Sequence, residues 1–318
     1  MFRVMSGYLK RIALASSLLL PLQSLSAQPL PVVASFSILA DMVREVGGPY
    51  VEVTSLVGPN ADSHVFDPTP ADAKRIASAR LVFVNGLGFE GWLDRLVKSS
   101  GYRGPIVVAS QGVTIAFKSR ENQTQPRADS GAHSLHTHGS LDPHAWQNLA
   151  NAERYVETIR KALVMALPTY AAQLDQRAAE YTQQIQILDQ ATKARVAMVA
   201  AARRRVIVSH DAFGYFAAAY GVTFYPLQGI ATASEPSAAE VVRIVDQIKK
   251  HKVSAIFTEN ISDPRVLERI VKESGAKVGG ILYADALTAP GTVADTFLKM
   301  FEHNATTIVG GISDQLDQ

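Results

Sequence analysis

The chain has 318 residues, of which 47% are hydrophobic and 19% charged, which is ordinary globular composition with room for two domains. The formal charge is +2, but Arg3, Lys10 and Arg11 lie in a leader-like N-terminus; without them 28 basic residues face 29 acidic ones, a charge of −1, which argues against a nucleic-acid partner. The absence of cysteine excludes disulfides, thiolate metal ligands and a cysteine nucleophile, so any metal site must use imidazole, carboxylate or carbonyl groups.

Residues 1–27 read as a signal peptide. Arg3, Lys10 and Arg11 form its basic region, and the apolar stretch Ile12 to Leu22 is too short to span a bilayer. Ser24, Ser26 and Ala27 offer small residues for cleavage, so the mature chain is expected to begin near Ala27 or Gln28. No cysteine follows the apolar run, so no lipid anchor is expected and the product reads as soluble and exported.

From residue 28 to 150 short apolar runs alternate with helix-like stretches. Pro31–Phe36, Val51–Val57, Leu81–Val84 and Ile106–Ala109 read as strands, with helices over Ile38–Val46, from about Ala71, and through Trp92, Leu93 and Leu96. Residues 119–140 are rich in Ser, Asn, Gln, Arg and Gly, carry His133, His136 and His138, and read as a loop. The segment 151–204 then shows apolar or aromatic residues at Tyr155, Ile159, Leu163, Tyr170, Leu174, Ala178, Tyr181, Ile185 and Leu188, the helical period. Pro168 divides it into helices at about 150–166 and 168–203, the second about 54 Å long at ~1.5 Å per residue. A plain helical bundle or coiled-coil arm is the alternative, but both flanks alternate strand and helix.

Residues 205–318 repeat the logic of the first half. Val206–Ser209, Val222–Leu227, Ala255–Thr258 and Val278–Leu282 read as strands, and Ala212–Tyr220, Ala238–Lys250 and Pro264–Glu273 as helices. Strands separated by helices mean parallel sheets with crossovers, so the fold class is α/β, with two lobes joined by a long helical segment.

Four residues fall where an α/β fold collects ligands, at or near the carboxyl ends of strands. His64 lies in a loop after a strand of the first half, His210 and Asp285 follow strands of the second, and His144 follows Asp142-Pro143 just before the long helical segment. Three imidazoles and one carboxylate on separate loops can converge between two lobes as a four-coordinate zinc site. Taken singly, each has a plainer reading: His64 as a solvated loop histidine, His210 as a satisfied core histidine, Asp285 as a turn cap. His251 and His303 read as surface residues. No His-Glu-x-x-His, Gly-x-Ser-x-Gly or Gly-x-x-x-x-Gly-Lys occurs, and the pair His136/His138 sits in a low-complexity loop, where weak metal collection fits better than catalysis.

Four segments resemble, in order, the ligand loops of the cluster A-I solute-binding proteins of zinc and manganese ABC importers. They are Asp62-Ser63-His64-Val65-Phe66-Asp67-Pro68-Thr69-Pro70, Leu141-Asp142-Pro143-His144-Ala145-Trp146, Ser209-His210-Asp211-Ala212-Phe213-Gly214-Tyr215-Phe216 and Tyr283-Ala284-Asp285-Ala286-Leu287. Glu235-Pro236-Ser237 resembles a further family segment. The resemblance implies two lobes bridged by a rigid helix, metal held at their interface by His64, His144, His210 and Asp285, and delivery to a membrane permease. It also implies a periplasmic location, zinc rather than manganese because the third ligand is His210, and an accessory role for the loop histidines His133, His136 and His138. A monomer is expected, and a periplasmic zinc chaperone is a further candidate partner. The rival readings are a manganese or iron carrier of the same fold and, from another class, a secreted zinc hydrolase with an open coordination position and a general base. Nothing in the composition points to an adhesin or structural role.

Overall fold

The computed structural model describes residues 28–114, 141–227, 238–251, 253–261 and 264–313. In the first lobe the elements run β1 (Leu30–Phe36), α1 (Ser37–Gly47), β2 (Val51–Val57), α2 (Pro70–Ser78), β3 (Leu81–Val84), α3 (Leu93–Ser100) and β4 (Ile106–Val108). Helices α4 (Leu149–Ala166) and α5 (Ala171–Ala197) follow. The second lobe runs β5 (Arg205–Val208), α6 (Gly214–Tyr220), β6 (Thr223–Pro226), α7 (Ala238–His251), β7 (Ala255–Glu259), α8 (Pro264–Ser274), β8 (Val278–Leu282) and α9 (Phe297–Ile312).

Each lobe is built on a four-stranded parallel sheet, ordered β2-β1-β3-β4 in the first and β6-β5-β7-β8 in the second. Consecutive residues Val32, Val33 and Ala34 of β1 and Val206, Ile207 and Val208 of β5 are all buried, so these central strands carry apolar residues on both faces. That is the pattern of a sheet covered by helices on both sides. Helix α2 shows how local sequence sets a start: the Thr69 hydroxyl faces the Asp72 amide, the Asp72 carboxylate accepts the Thr69 amide, and Pro70 opens the first turn.

Helix α5 buries Leu174, Ala178, Tyr181, Ile185, Leu188, Thr192 and Val196 in steps of three and four. It packs along α4 and reaches α1 in the first lobe and α9 in the second. Near one end Arg177 donates to the carbonyl of Glu45 after 2.6 Å, and near the other Arg195 donates to Thr306. The helix is shorter than the sequence pattern suggests: 27 residues, about 40 Å, rather than a run over 168–203. Pro168 lies in a 3-10 turn, and Ala200 turns to ψ 135°, which ends any helical continuation before a second 3-10 turn at Ala201–Arg203. Helix α6 likewise starts at Gly214, not Ala212, because the Ala212 amide is taken by the His210 carbonyl in a turn.

Helix α9 is absent from the elements expected from sequence, where His303 alone is singled out, as a surface residue. It buries Phe297, Met300, Phe301, Asn304, Ala305 and Ile308 against α5 and β8. Phe257 of β7 fits a slot between two glycines: a Cβ on Gly279 would lie 2.3 Å from its ring and one on Gly311 2.7 Å from it. His303 is half-buried rather than a free surface residue, with Nε2 at 2.9 Å from the Ile281 carbonyl.

Candidate metal centre

Four loops bring His64, His144, His210 and Asp285 together, with one donor atom from each lying within 4.8 Å of all the others. His64 leaves the loop between β2 and α2, His144 precedes α4, His210 follows β5 and Asp285 follows β8. The side chains of His144, His210 and Asp285 are fully buried, and that of His64 is 6% exposed. His64 Nε2 lies 3.3 Å from His144 Nε2 and 3.2 Å from Asp285 Oδ2; His210 Nε2 is 3.1 Å from the same Oδ2, and His144 Nε2 is 3.5 Å from Asp285 Oδ1.

Each histidine is aimed by a carboxylate. Asp62 Oδ1 accepts the backbone N–H of His64 at 2.8 Å. Asp142 Oδ1 accepts both the backbone N–H of His144, at 3.1 Å, and its ring Nδ1–H, at 2.8 Å. Glu259, the last residue of β7, accepts the backbone N–H of His210 at 3.1 Å with Oε1 and places Oε2 2.6 Å from its Nδ1. These contacts turn Nε2 of His144 and His210 inward.

Outer contacts hold the loops themselves. Glu90, whose carboxyl burial pushes up, accepts from the Ser35 hydroxyl and from the backbone N–H groups of Asn85 and Gly86. Asn85 in turn donates to the Pro143 carbonyl and accepts the Tyr155 hydroxyl, fixing the turn that carries His144. Tyr215 donates to the Asp142 carbonyl from the other lobe. Phe89 meets the His64 ring edge-on at 5.0 Å, and Trp146 meets the His144 ring at 5.4 Å, so the inner wall is aromatic.

Burial opposes charge on His144, His210 and Asp285, and their attraction to neighbouring charges outweighs it. Asp285 and Asp142 hold His144 above the usual imidazole range, and Glu259 with Asp285 holds His210 well above it. Asp285, beside both rings, is held well below the usual carboxylate range. Among the described residues its buried Oδ1 has no hydrogen-bond partner, and two imidazole Nε2 atoms face each other next to it. A divalent cation answers both conditions. Zinc bonds of about 2.0–2.1 Å in a tetrahedron require donors about 3.3–3.4 Å apart; the nearest pairs here lie at 3.1–3.5 Å, within a donor set that spans up to 4.8 Å. The residues present therefore fit a metal ion.

The structure thus assembles all four residues singled out in the sequence. His133, His136, His138 and Glu235-Pro236-Ser237 lie outside the described residues. Sequence reasoning missed Glu259, Asn85, Glu90 and Tyr215. Glu259 was findable, as the one carboxylate at the carboxyl end of the strand Ala255-Ile256-Phe257-Thr258-Glu259.

The family described as "ZnuA: Zinc-uptake complex component A periplasmic" matches residues 32–311. The manganese-binding lipoprotein MntA of Halalkalibacterium halodurans is 31% identical over 284 residues, 89% of this chain and 89% of that protein. The manganese ABC transporter substrate-binding lipoprotein PsaA of Streptococcus pneumoniae is 28% identical over 294 residues, 91% of this chain and 90% of that one. Among solved structures, the periplasmic zinc binding protein TroA from Treponema pallidum superposes with a TM-score of 0.80 at 28% identity, covering 90% of this chain and 99% of that one.

Proposed function

The chain belongs to the family of the periplasmic zinc-uptake component A, and from that premise we propose that it captures zinc between its lobes and passes it to the permease of an ABC importer. The coarser part of this reading follows from membership: the protein is a metal-binding, substrate-binding component of an ABC importer and not an enzyme. The finer part is the identity of the metal and of its ligands.

The observation that carries it is the donor set. Three imidazole nitrogens and one carboxylate, gathered within 4.8 Å of one another, are supplied by His64, His144, His210 and Asp285. Affinity for nitrogen donors rises from Mn²⁺ to Zn²⁺, so such a set favours zinc. Each residue has a defined part. Asp285 supplies charge, His144 and His210 supply prepositioned nitrogens, and His64 supplies the ligand on the less buried side. Neutral imidazole is the ligand form, so affinity falls with acid. Residues 1–27 serve as the export signal, the working location is the periplasm, and His133, His136 and His138 act at most as an accessory collecting loop. A second reading, a manganese carrier, has support in the names of MntA and PsaA.

The deciding experiment is a competition titration. The protein is stripped with chelator and titrated with Zn²⁺ against Mn²⁺, alongside a variant lacking 119–140. One tight zinc site that survives loss of the loop supports the zinc reading and an accessory loop. Manganese winning would replace it by the second reading.

A further inference from the structure

The outer nitrogens of two ligand rings are gripped in different ways. At His144 a single oxygen, Asp142 Oδ1, serves both the backbone N–H and Nδ1. At His210 the work is divided: Glu259 Oε1 takes the backbone N–H and Oε2 faces Nδ1 at 2.6 Å. Glu259 also comes from another strand, 49 residues along the chain, and its side chain is fully buried. Among the described residues His210 Nδ1 and Glu259 Oε2 have no in-line hydrogen-bond partner, and they face each other at 2.6 Å, short but out of line.

We propose that Glu259 is the positioning residue that gives the centre its preference for zinc over manganese, by holding His210 with Nδ1–H outward and Nε2 aimed at the metal. The inference rests on the zinc reading above.

The chemistry runs through the Nδ1–H bond. A carboxylate that accepts this proton pushes electron density toward Nε2 and strengthens it as a donor. Zinc draws more on nitrogen donors than manganese does, so the gain is larger for zinc. The two-point grip also fixes the ring direction, which a tetrahedral ion needs.

An amide cannot reproduce this grip. In Glu259→Gln the single carbonyl oxygen can face the backbone N–H or Nδ1, not both. If it takes the backbone N–H, the amide NH₂ faces Nδ1. The ring then carries its proton on Nε2, where the metal must bind. In the other orientation NH₂ meets N–H, donor against donor. At Asp142 one amide oxygen can serve both donors, so Asp142→Asn is expected to lose less.

The test compares wild type, Glu259→Gln, Glu259→Asp and Asp142→Asn. Zinc and manganese affinities come from competition titration, metal-free thermal melting reports the fold, and ¹⁵N-resolved NMR of the zinc-loaded protein reads the His210 ring N–H. We expect Glu259→Gln to weaken zinc by about 10–100-fold and manganese by less than about threefold. Glu259→Asp, which restores a carboxylate one methylene short, should recover part of the ratio. Wild type should show a His210 Nδ1–H resonance far downfield that moves upfield or vanishes in Glu259→Gln. Equal losses for both metals, or unchanged zinc affinity, overturns the proposal. So does a wild-type His210 that ligates through Nδ1, a result that needs no variant to fold. Wild-type protein that binds neither metal tightly would instead overturn the zinc reading itself.

Discussion

Trp146 donates its indole N–H to the carbonyl of Ala284 across 2.9 Å, joining the turn that carries His144 to the turn that carries Asp285. Gln147 donates to the same oxygen. The two residues are 138 positions apart, and the next residue after Ala284 is the carboxylate ligand. The second and fourth ligand loops are therefore one rigid unit, spanning both halves of the sequence.

Replacing Trp146 by Phe should test that unit. The ring packing against Phe36, Phe89 and His144 is largely kept, and one of the two bonds to Ala284 is lost. We expect a stability loss of about 1–2 kcal/mol in denaturant unfolding and a several-fold weaker zinc affinity. A stability loss with no change in affinity would show that the two loops are set independently.

The back of the molecule offers a pH-dependent prediction. Asp41 on α1 is buried, and its carboxylate accepts the first N–H of α9, from Phe297, at 2.7 Å. Burial pushes its carboxyl up to about 7 from 3.8, with Glu45 adding to the rise and Arg44 too weak to offset it; Asp295 also faces it. Between those two values the folded state keeps a proton that the unfolded chain has released. The stabilisation is therefore complete below about pH 4 and is lost as pH rises through about 7. Asp41→Asn keeps an acceptor for Phe297 and removes the charge. It should be more stable than wild type at pH 8, by about 2–4 kcal/mol, with the gap closing toward pH 4. Parallel stability profiles from pH 5 to 8 would refute the assignment.

Gly311→Ala sets two effects against each other. In a helix interior alanine is favoured over glycine by about 1 kcal/mol. Here the added methyl would meet the Phe257 ring at 2.7 Å and Ala255 Cβ at 3.3 Å. Overpacking costs about 1–3 kcal/mol, so we expect net destabilisation in a chemical melt. Pairing it with Phe257→Leu should relieve the clash and bring the double variant above the sum of the two singles.

The repeating α/β pattern was legible because nearly every strand is a short apolar run bounded by Gly, Pro or polar residues, as in Leu81–Val84 and Arg205–Val208. Helix α9 was legible in principle, since Phe297, Met300, Phe301, Ala305 and Ile308 keep the helical period, but buried Asn304 and Gly310-Gly311 dilute it. The end of α5 was not, because Ala200 departs from helix among residues that are good helix formers. His64, His144, His210 and Asp285 share no short spacing. Their positions near strand ends and their motif context pointed to one site, while their convergence depends on how the lobes meet. Glu259 illustrates the remainder: its role depends on β7 lying beside β5, which puts it against a histidine far along the chain.

Zinc itself should act as a stabiliser. An ion that binds the folded state alone adds RT ln(1 + [Zn]/Kd), about 2.7 kcal/mol at a hundredfold excess over Kd, so the melting temperature should climb with zinc concentration. His144→Ala removes a buried nitrogen donor and the ring N–H that Asp142 Oδ1 accepts, leaving that oxygen the backbone N–H of residue 144. The metal-free variant should melt lower than wild type, by the cost of one lost buried hydrogen bond and a cavity, about 2–4 kcal/mol. More tellingly, its melting temperature should no longer respond to micromolar zinc, while Met165→Ala, on an 84% exposed side chain of α4, should respond like wild type. A full zinc response in His144→Ala would place the ion elsewhere and require the ligand set to be rebuilt.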